Sequence, residues 1–519
     1  MVQTLSLADQ ARFVRGRIPP QGLFAGQEFR ISPAPFPIEV RLAKDLESVG
    51  RVLLQFNRAV NLLYRLSVAG KQPAWVAAWL DQGKPPELIE LQRSSAFKNE
   101  LPRVIRPDML LTDSGVSITE LDSVPGGIGL TAWLNQTYAE LAEASAAMPS
   151  LAGEATAADS VSPTPTAQRP SPIPYPQSPI ANRRSPSPDR QSPIAKRQAP
   201  SAGRQSPNAD RQASGAHRPS PILGGADGML NGFESIFGDA GKVRIVISEE
   251  SATYRPEMAW LATQLGNERF DVCDSGFTDF HEGDAVYRFF ELFDLENVGN
   301  AEAIFQLARD KKIRLTPPPK TIFEEKMLFA LLWNRNLLGF WRQELGEGFL
   351  ERLWRLVPYT WLVDPAPLPP HGAIPELNLT DWHQLKTLSQ RDRDLVLKVS
   401  GFSEQAWGAR GVYLGSDLSA SDWTEAVDLA IGSFGRSPFV LQRYHKPKTV
   451  EMSWLDFGRG ELLRMNGRVR LCPYYFVSGE GDNARANLGG VLATICPADK
   501  KIIHGMKDAI LVPCAAEHV

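Results

Sequence analysis

Arg106-Pro107-Asp108-Met109-Leu110-Leu111-Thr112-Asp113-Ser114-Gly115-Val116-Ser117-Ile118-Thr119-Glu120-Leu121-Asp122 alternates apolar and polar residues on either side of a stretch, Thr112 to Gly115, that has turn chemistry. Such a pattern predicts a β-hairpin. With the turn centred near Asp113 and Ser114, Asp108 falls opposite Glu120, and Arg106 opposite Asp122, at the hairpin's open end. Three carboxylates and one guanidinium then share one place. Hard carboxylate oxygens suit magnesium, which usually shares its shell with substrate phosphates, and Arg106 suits a bidentate contact to a phosphoryl group. On spacing alone the same residues also fit a surface hairpin with cross-strand ion pairs.

Upstream of the hairpin, from Leu42 to Phe97, apolar residues such as Val52, Leu53, Phe56, Val60, Leu63 and Leu66 recur at helical spacing and predict a helical region. Beyond Tyr138 the composition turns to Ala, Ser and Pro. From Gln177 six heptads follow in tandem, the first being Gln177-Ser178-Pro179-Ile180-Ala181-Asn182-Arg183 and the others ending at Arg190, Arg197, Arg204, Arg211 and Arg218. Recurring prolines forbid a continuous helix and there is no apolar seam, so a disordered insertion with polyproline II character is expected. Between Val161 and Ile222 nine Lys/Arg stand against two Asp/Glu. The insertion therefore reads as a solvated spacer or as a basic arm that docks an anionic partner, tunable by phosphorylation at its Ser-Pro steps.

Order is expected to return near Gly241. Strand candidates at Val243 to Ile247, Ala285 to Leu292 and Lys312 to Leu315 alternate with helix candidates at Pro256 to Leu265 and Ala301 to Asp310, which implies a small α/β layer. No glycine fingerprint accompanies it, against a dinucleotide site. A helix-rich segment from Ile322 to Trp354 carries Lys326, by itself a snorkelling surface residue. Strands are expected at Leu395 to Val399, Gly411 to Leu414, Phe439 to Arg443 and Arg468 to Tyr475. Lys398 lies on the first of these, ahead of a loop with Gly401, Gly408 and Gly411, where backbone N–H groups can approach phosphate oxygens. Phe439 to Arg443 has the character of a strand that lines a base pocket. His445 and His504 have no partner at metal or triad spacing and read as structural or solvent-facing.

At 519 residues with 43% hydrophobic content, the chain is long enough for two or three domains. Its 56 basic and 59 acidic residues nearly cancel, so neither nucleic acid nor an anionic membrane is expected as a general partner. Cys273, Cys472, Cys496 and Cys514 are too scattered for a zinc site or a disulfide scaffold and read as reduced thiols. No signal-peptide pattern opens the chain and no apolar run approaches the roughly 20 residues that span a bilayer, so the expected address is cytoplasmic.

Taken in chain order, these elements resemble the glutathionylspermidine synthase-like, circularly permuted branch of the ATP-grasp superfamily. The resemblance covers Arg106 to Tyr138 and Gly241 to about Pro513. It implies an ATP-grasp-type α+β and α/β architecture: a helical region with a metal-site hairpin over 1–140, the disordered insertion over 141–240, a small pre-ATP-grasp-like α/β domain over 241–320 and ATP-binding lobes over 321–519. It implies Arg106 as the catalytic arginine and Asp108, Glu120 and Asp122 as magnesium ligands, with Asp122 in place of the family's usual Asn. Lys326, Lys398, Gly401, Gly408, Leu441 and Gln442 match the family's ATP-binding positions. The activity implied is an ATP- and magnesium-dependent ligase that joins a small-molecule or peptide carboxylate to an amine through an acyl phosphate. One departure bears on this. The family places an arginine after the segment matching Gly489-Gly490-Val491-Leu492-Ala493-Thr494, and here there is none, with Arg485 and Lys500 as candidate substitutes. A nucleotide-binding interaction protein that has lost ligation is the alternative it motivates. The amidase domain of bifunctional relatives is also missing, and no polyamine or glutathione specificity carries over.

Overall fold

The alternation about Thr112 to Gly115 folds as the hairpin it predicts, with Arg106 paired to Asp122, Asp108 to Glu120 and Thr112 to Gly115. A bulge follows the Asp108–Glu120 pair, so that Met109 faces Ile118. The computed structural model describes residues 5–20, 29–147, 222–366, 374, 376–406, 410–503 and 507–517. The heptad repeat, Gly408 and His504 lie outside the described residues.

In chain order the strands are β1 (Phe36–Glu39), β2 (Val104–Thr112), β3 (Gly115–Asp122), β4 (Val243–Ile247), β5 (Phe270–Cys273), β6 (Ala285–Phe289), β7 (Arg314–Thr316), β8 (Thr360–Leu362), β9 (Leu395–Val399), β10 (Val412–Leu414), β11 (Phe439–Arg443), β12 (Thr449–Asp456), β13 (Glu461–Ser478), β14 (Arg485–Pro497) and β15 (Ile510–Glu517). They form three sheets. The largest runs β1-β15-β14-β13-β2-β3, with β12 also on β13. Strands that precede residue 141 and strands that follow residue 321 therefore make one sheet. The long helix Val40–Val68 lays its buried face, including Leu46, Leu53, Phe56, Val60 and Leu63, into the core beside this sheet. The expected helical region is completed by Ala74–Asp81 and Pro86–Arg93.

The second sheet, β5-β4-β6-β7, is wholly parallel, as strands joined by crossover helices must be. Helices Arg255–Leu265 and Ala301–Arg309 supply crossovers. The third sheet, β10-β9-β11-β8, is antiparallel and covers helix Ala420–Gly432 through a separate core that includes Leu397, Leu441, Trp423 and Val427.

Three local expectations change. Residues 222–240 are ordered, ahead of the expected start at Gly241: Ile222 bridges Ala515, and helix Gly228–Ser235 buries Met229, Leu230 and Phe233. That helix approaches β14 so closely that a Cβ at Gly228 would come within 2.5 Å of the Gly489 carbonyl oxygen. The helix beginning at Ile128 continues to Ala147, past residue 140. Lys326 is the N-cap of helix Met327–Trp333, one residue before the helix proper.

One irregularity in the main sheet positions the site. β2 pairs with β13 at Met109–Leu471 and again at Ile105–Tyr475, but not between, where the register sets Pro107 opposite Pro473. Neither proline has an N–H to give, so the ladder opens beside Arg106 and Asp108.

Candidate functional site

Side chains alternate across a strand, and that alternation selects what meets at the hairpin's open end. On β9, Leu395, Leu397 and Val399 face the core with helix Ala420–Gly432, while Val396 and Lys398 face the hairpin. Gln442 of β11 lies on the same side as Lys398. Between these strands, the hairpin and the first turn of helix Arg255–Leu265 is a cavity of about 380 Å³. Arg106, Asp108, Glu120, Asp122, Lys326, Lys398 and Gln442 all line it.

Their contacts fall into three groups: a Lys326–Glu120 pair, Lys398 on neutral acceptors, and an alternating run Asp122–Arg106–Asp108–Arg470. Lys326 Nζ lies 2.9 Å from Glu120 Oε1 and donates to the Ala406 carbonyl at 2.9 Å. Lys398 Nζ donates to Gln442 Oε1 at 2.9 Å and to the Thr119 carbonyl at 3.3 Å, and Gln442 Nε2 in turn donates to Thr360 Oγ1 at 3.1 Å. Arg106 spans two carboxylates, with Nε 3.2 Å from Asp108 Oδ1 and Nη2 2.8 Å from Asp122 Oδ2. Arg470, from β13, holds the other oxygen of Asp108 at 3.0 Å. Cys472 donates to Asp108 Oδ1 at 3.4 Å, and burial, then the Asp108 charge, push its thiol up to about 12, which favours the protonated form.

The electrostatics follow from burial opposed by charge. Desolvation works against Arg106, yet Asp108 and Asp122 hold its pKa well above the ordinary value. Burial also raises Asp122, aided by Glu120 and Asp108 and opposed by Arg106 and the Val124 N–H. Lys398 is drawn down to about 8, chiefly by burial and further by Lys326, with Glu120 and Asp108 offsetting. Glu257, at the first turn of helix Arg255–Leu265, accepts from the Gly127 and Leu130 N–H groups at 2.7 and 3.1 Å and caps the helix that starts at Ile128. Burial lifts it to about 7 despite those bonds.

The donor set fits magnesium in part. Among the described residues no three His, Cys, Asp or Glu side chains gather closely enough to hold a metal. Magnesium needs only one or two carboxylates when phosphates complete its shell. Glu120 and Asp122 meet that need: they lie two residues apart on one face of β3 at the hairpin's open end, and the burial and the Glu120 charge that together raise Asp122 are what a cation would offset. All three expected ligands carry protein partners: Asp108 meets two guanidinium groups and a thiol, Asp122 meets Arg106 and the Val124 N–H, and Glu120 meets Lys326. The cavity also fits a nucleotide. Cations Arg106, Lys326, Lys398, Arg443, Arg470 and Lys501 outnumber carboxylates Asp108, Glu120, Asp122 and Glu257 by two, and Leu110, Val396, Val412, Leu414 and Ile503 form an apolar face.

Two of the family-matched residues stand apart. Leu441 turns into the core with Trp423, on the opposite face of β11 from Gln442, and its strand is paired on both sides. Gly401 does not line the cavity; it allows close packing, since a Cβ there would come 2.3 Å from the Glu324 carbonyl oxygen. Arg485 and Lys500 do not stand in for the absent arginine. Arg485 donates to the Asp482 and Ala484 carbonyls, and Lys500 to the Lys507 carbonyl. Arg470 lies directly across the β13–β14 ladder from Thr494 and brings a guanidinium to the stretch where one was expected. His445, read as structural or solvent-facing, is half-buried on the cavity wall with Nδ1 3.0 Å from Ser117 Oγ, and burial, then Arg443, lower its pKa. Glu257 was read only as part of a helix.

No family model and no curated protein matches the chain. Among solved structures, a glutathione synthetase-like effector from Globodera pallida in its apo form is similar over 98% of this chain and 97% of its own, at 10% identity and a TM-score of 0.50. At that identity the likeness speaks to fold alone, a mixed helix-and-sheet architecture with several sheets. A γ-glutamylcysteine synthetase candidate from Methylobacillus flagellatus KT aligns over 87% of this chain and 86% of its own, at 10% identity and a TM-score of 0.35. No helix among the described residues is long and apolar enough to cross a membrane.

Proposed function

We propose that this chain is an ATP- and magnesium-dependent ligase of the circularly permuted ATP-grasp kind that joins a carboxylate to an amine. The observation that carries the reading is the single cavity in which the hairpin's Arg106, Glu120 and Asp122 meet Lys326, Lys398 and Gln442, which come from a different part of the chain. The fold shared with a glutathione synthetase-like protein supports it. Bound magnesium-ATP would supply the phosphoryl group that activates a substrate carboxylate, so that attack by the amine on the acyl carbon would form the amide as inorganic phosphate leaves. Glu120 and Asp122 would hold the metal. The residues of the chain bind and position: Lys398, oriented by Gln442, and Lys326, oriented by the Ala406 carbonyl, offer ammonium groups to phosphate oxygens. Arg106 and Arg470, braced by Asp108 between them, present two guanidinium groups to charge that develops during transfer. Glu257 closes the cavity near Arg106 and fixes the Gly126-Gly127 turn through its bonds to the backbone.

The alternative, a nucleotide-binding interaction protein without ligation, drew on the absent arginine after Gly490. Arg470 in the cavity weakens that motive. A thermal-shift screen with and without magnesium, followed by phosphate release with panels of acids and amines, tests the proposal. Stabilisation by ATP that magnesium enhances, with phosphate released only when acid and amine are both present, is expected. Binding without release under every pair would favour the alternative, and no nucleotide binding would overturn both.

A further inference from the structure

A second, larger cavity, of about 910 Å³, shares no lining residue with the first. It lies between helix Val40–Val68, the segment 96–103, the start of β7 and the turn joining β13 to β14. Its floor is apolar, with Leu62, Phe97, Leu101, Ile236, Ile313 and Val477 among the lining residues. Arg58 and Arg65 project into it from the long helix, seven residues apart and hence on one face.

The charges at this cavity are unevenly answered. Arg314 is paired with Asp239, and Arg103 lies 3.8 Å from Glu480. Arg58 donates to the Gly481 carbonyl at 2.5 Å and Arg65 to Asn99 Oδ1 at 3.3 Å, both neutral acceptors, and among the described residues neither has a carboxylate partner. Thr316, more than nine-tenths buried on the cavity wall, has a hydroxyl with no hydrogen-bond partner. Buried polar groups are ordinarily satisfied. An apolar floor, two guanidinium groups that form no ion pair with the lining carboxylates Glu100, Asp239, Glu480 and Asp482, and a free hydroxyl together describe a complementary ligand. We propose that this cavity is a separate binding site for a small organic anion with an apolar body, its anionic group held by Arg58 and Arg65. The volume is within the range of cavities that enclose such ligands.

The test uses the full chain and 8-anilinonaphthalene-1-sulfonate, an apolar body with one sulfonate, followed by fluorescence. Saturable binding that persists with excess Mg-ATP is expected, because the two cavities are distinct. R58Q/R65Q should weaken it at least about tenfold, two charge-assisted contacts being lost. Uncharged N-phenyl-1-naphthylamine should bind the parent more weakly than the sulfonate and be indifferent to that double substitution. Ala96→Trp, which fills the cavity without touching either arginine, should also abolish binding, and melting temperatures equal to the parent's show that both variants fold. Displacement of the probe by Mg-ATP, equal binding of the neutral probe, or unchanged binding in both variants would each overturn the proposal. Full competition by inorganic phosphate at the same concentration would reduce it to a simple anion site and likewise overturn it.

Discussion

Replacing Lys398 by methionine separates what the lysine does for a nucleotide from what it does for the fold. Its folded pKa of about 8 lies below the ordinary 10.5, mainly because the ammonium is buried. At 1.36 kcal/mol per unit, charging it costs the folded state about 3 kcal/mol at pH 7, as an upper bound. Methionine has similar reach and no charge, but it leaves the buried Gln442 Oε1 without its donor, a loss of about 1–2 kcal/mol. The variant should therefore be as stable as the parent or up to about 2 kcal/mol more stable at pH 7. Between about pH 8 and 10.5 the unfolded parent holds a proton that its folded state has released, so the parent gains stability with pH and the gap closes. Urea unfolding followed by tryptophan fluorescence at pH 7 and pH 10 reads both effects. Calorimetric titration with Mg-ATP should show affinity reduced at least about tenfold. A variant that lost more than about 2 kcal/mol yet bound Mg-ATP like the parent would show that Lys398 belongs to the core and not to the site.

Three further outcomes are expected. Glu120→Gln should leave metal-free ATP binding nearly unchanged and remove most of the enhancement by magnesium, read by titrating ATP with and without the ion. Arg470→Lys should bind Mg-ATP but turn over about a hundredfold more slowly in a phosphate-release assay, since an ammonium cannot span Asp108 and a phosphoryl group as a guanidinium does. Glu257 keeps its proton in the folded state up to about pH 7, whereas an unfolded carboxyl loses it near the ordinary 4.5, so this group's contribution to stability falls as pH rises between those values. Glu257→Gln should flatten that slope in melting temperatures measured at pH 5 and pH 7.5; an unchanged slope would assign it elsewhere.

The hairpin was legible because its turn residues and its alternation agree, and the two together leave one register, the one found for Arg106–Asp122 and Asp108–Glu120. The strand holding Lys398 was legible for the same reason, being short, apolar and bounded, and it spans Leu395–Val399 as expected. Leu441 and Gln442 were nominated together although adjacent strand residues face opposite ways, and only Gln442 reaches the cavity. Arg470 left a faint signal, a guanidinium between the apolar Val469 and Leu471, but its partner Asp108 is 362 residues away and no local pattern reports such a pairing. Glu257 was hidden similarly, since a carboxylate in a helix's first turn ordinarily serves that helix, whereas this one caps another, 127 residues earlier. The order of residues 222–240 was missed because a short helix between glycines, packed on β14, has little periodicity of its own.

The opened ladder at Pro107 and Pro473 also sets a timetable for synthesis. Asp108 leaves the ribosome 362 residues before Arg470, an interval of about 20–70 s at roughly 5–20 residues per second. Throughout that interval β2 lacks its neighbour β13, and β1 waits longer still for β15. The nascent hairpin therefore exposes a strand edge with apolar side chains, in which Pro107 has no N–H to offer an incoming strand. The same proline that leaves room beside Arg106 in the finished sheet thus guards the unfinished one against pairing with a neighbouring chain on the polysome.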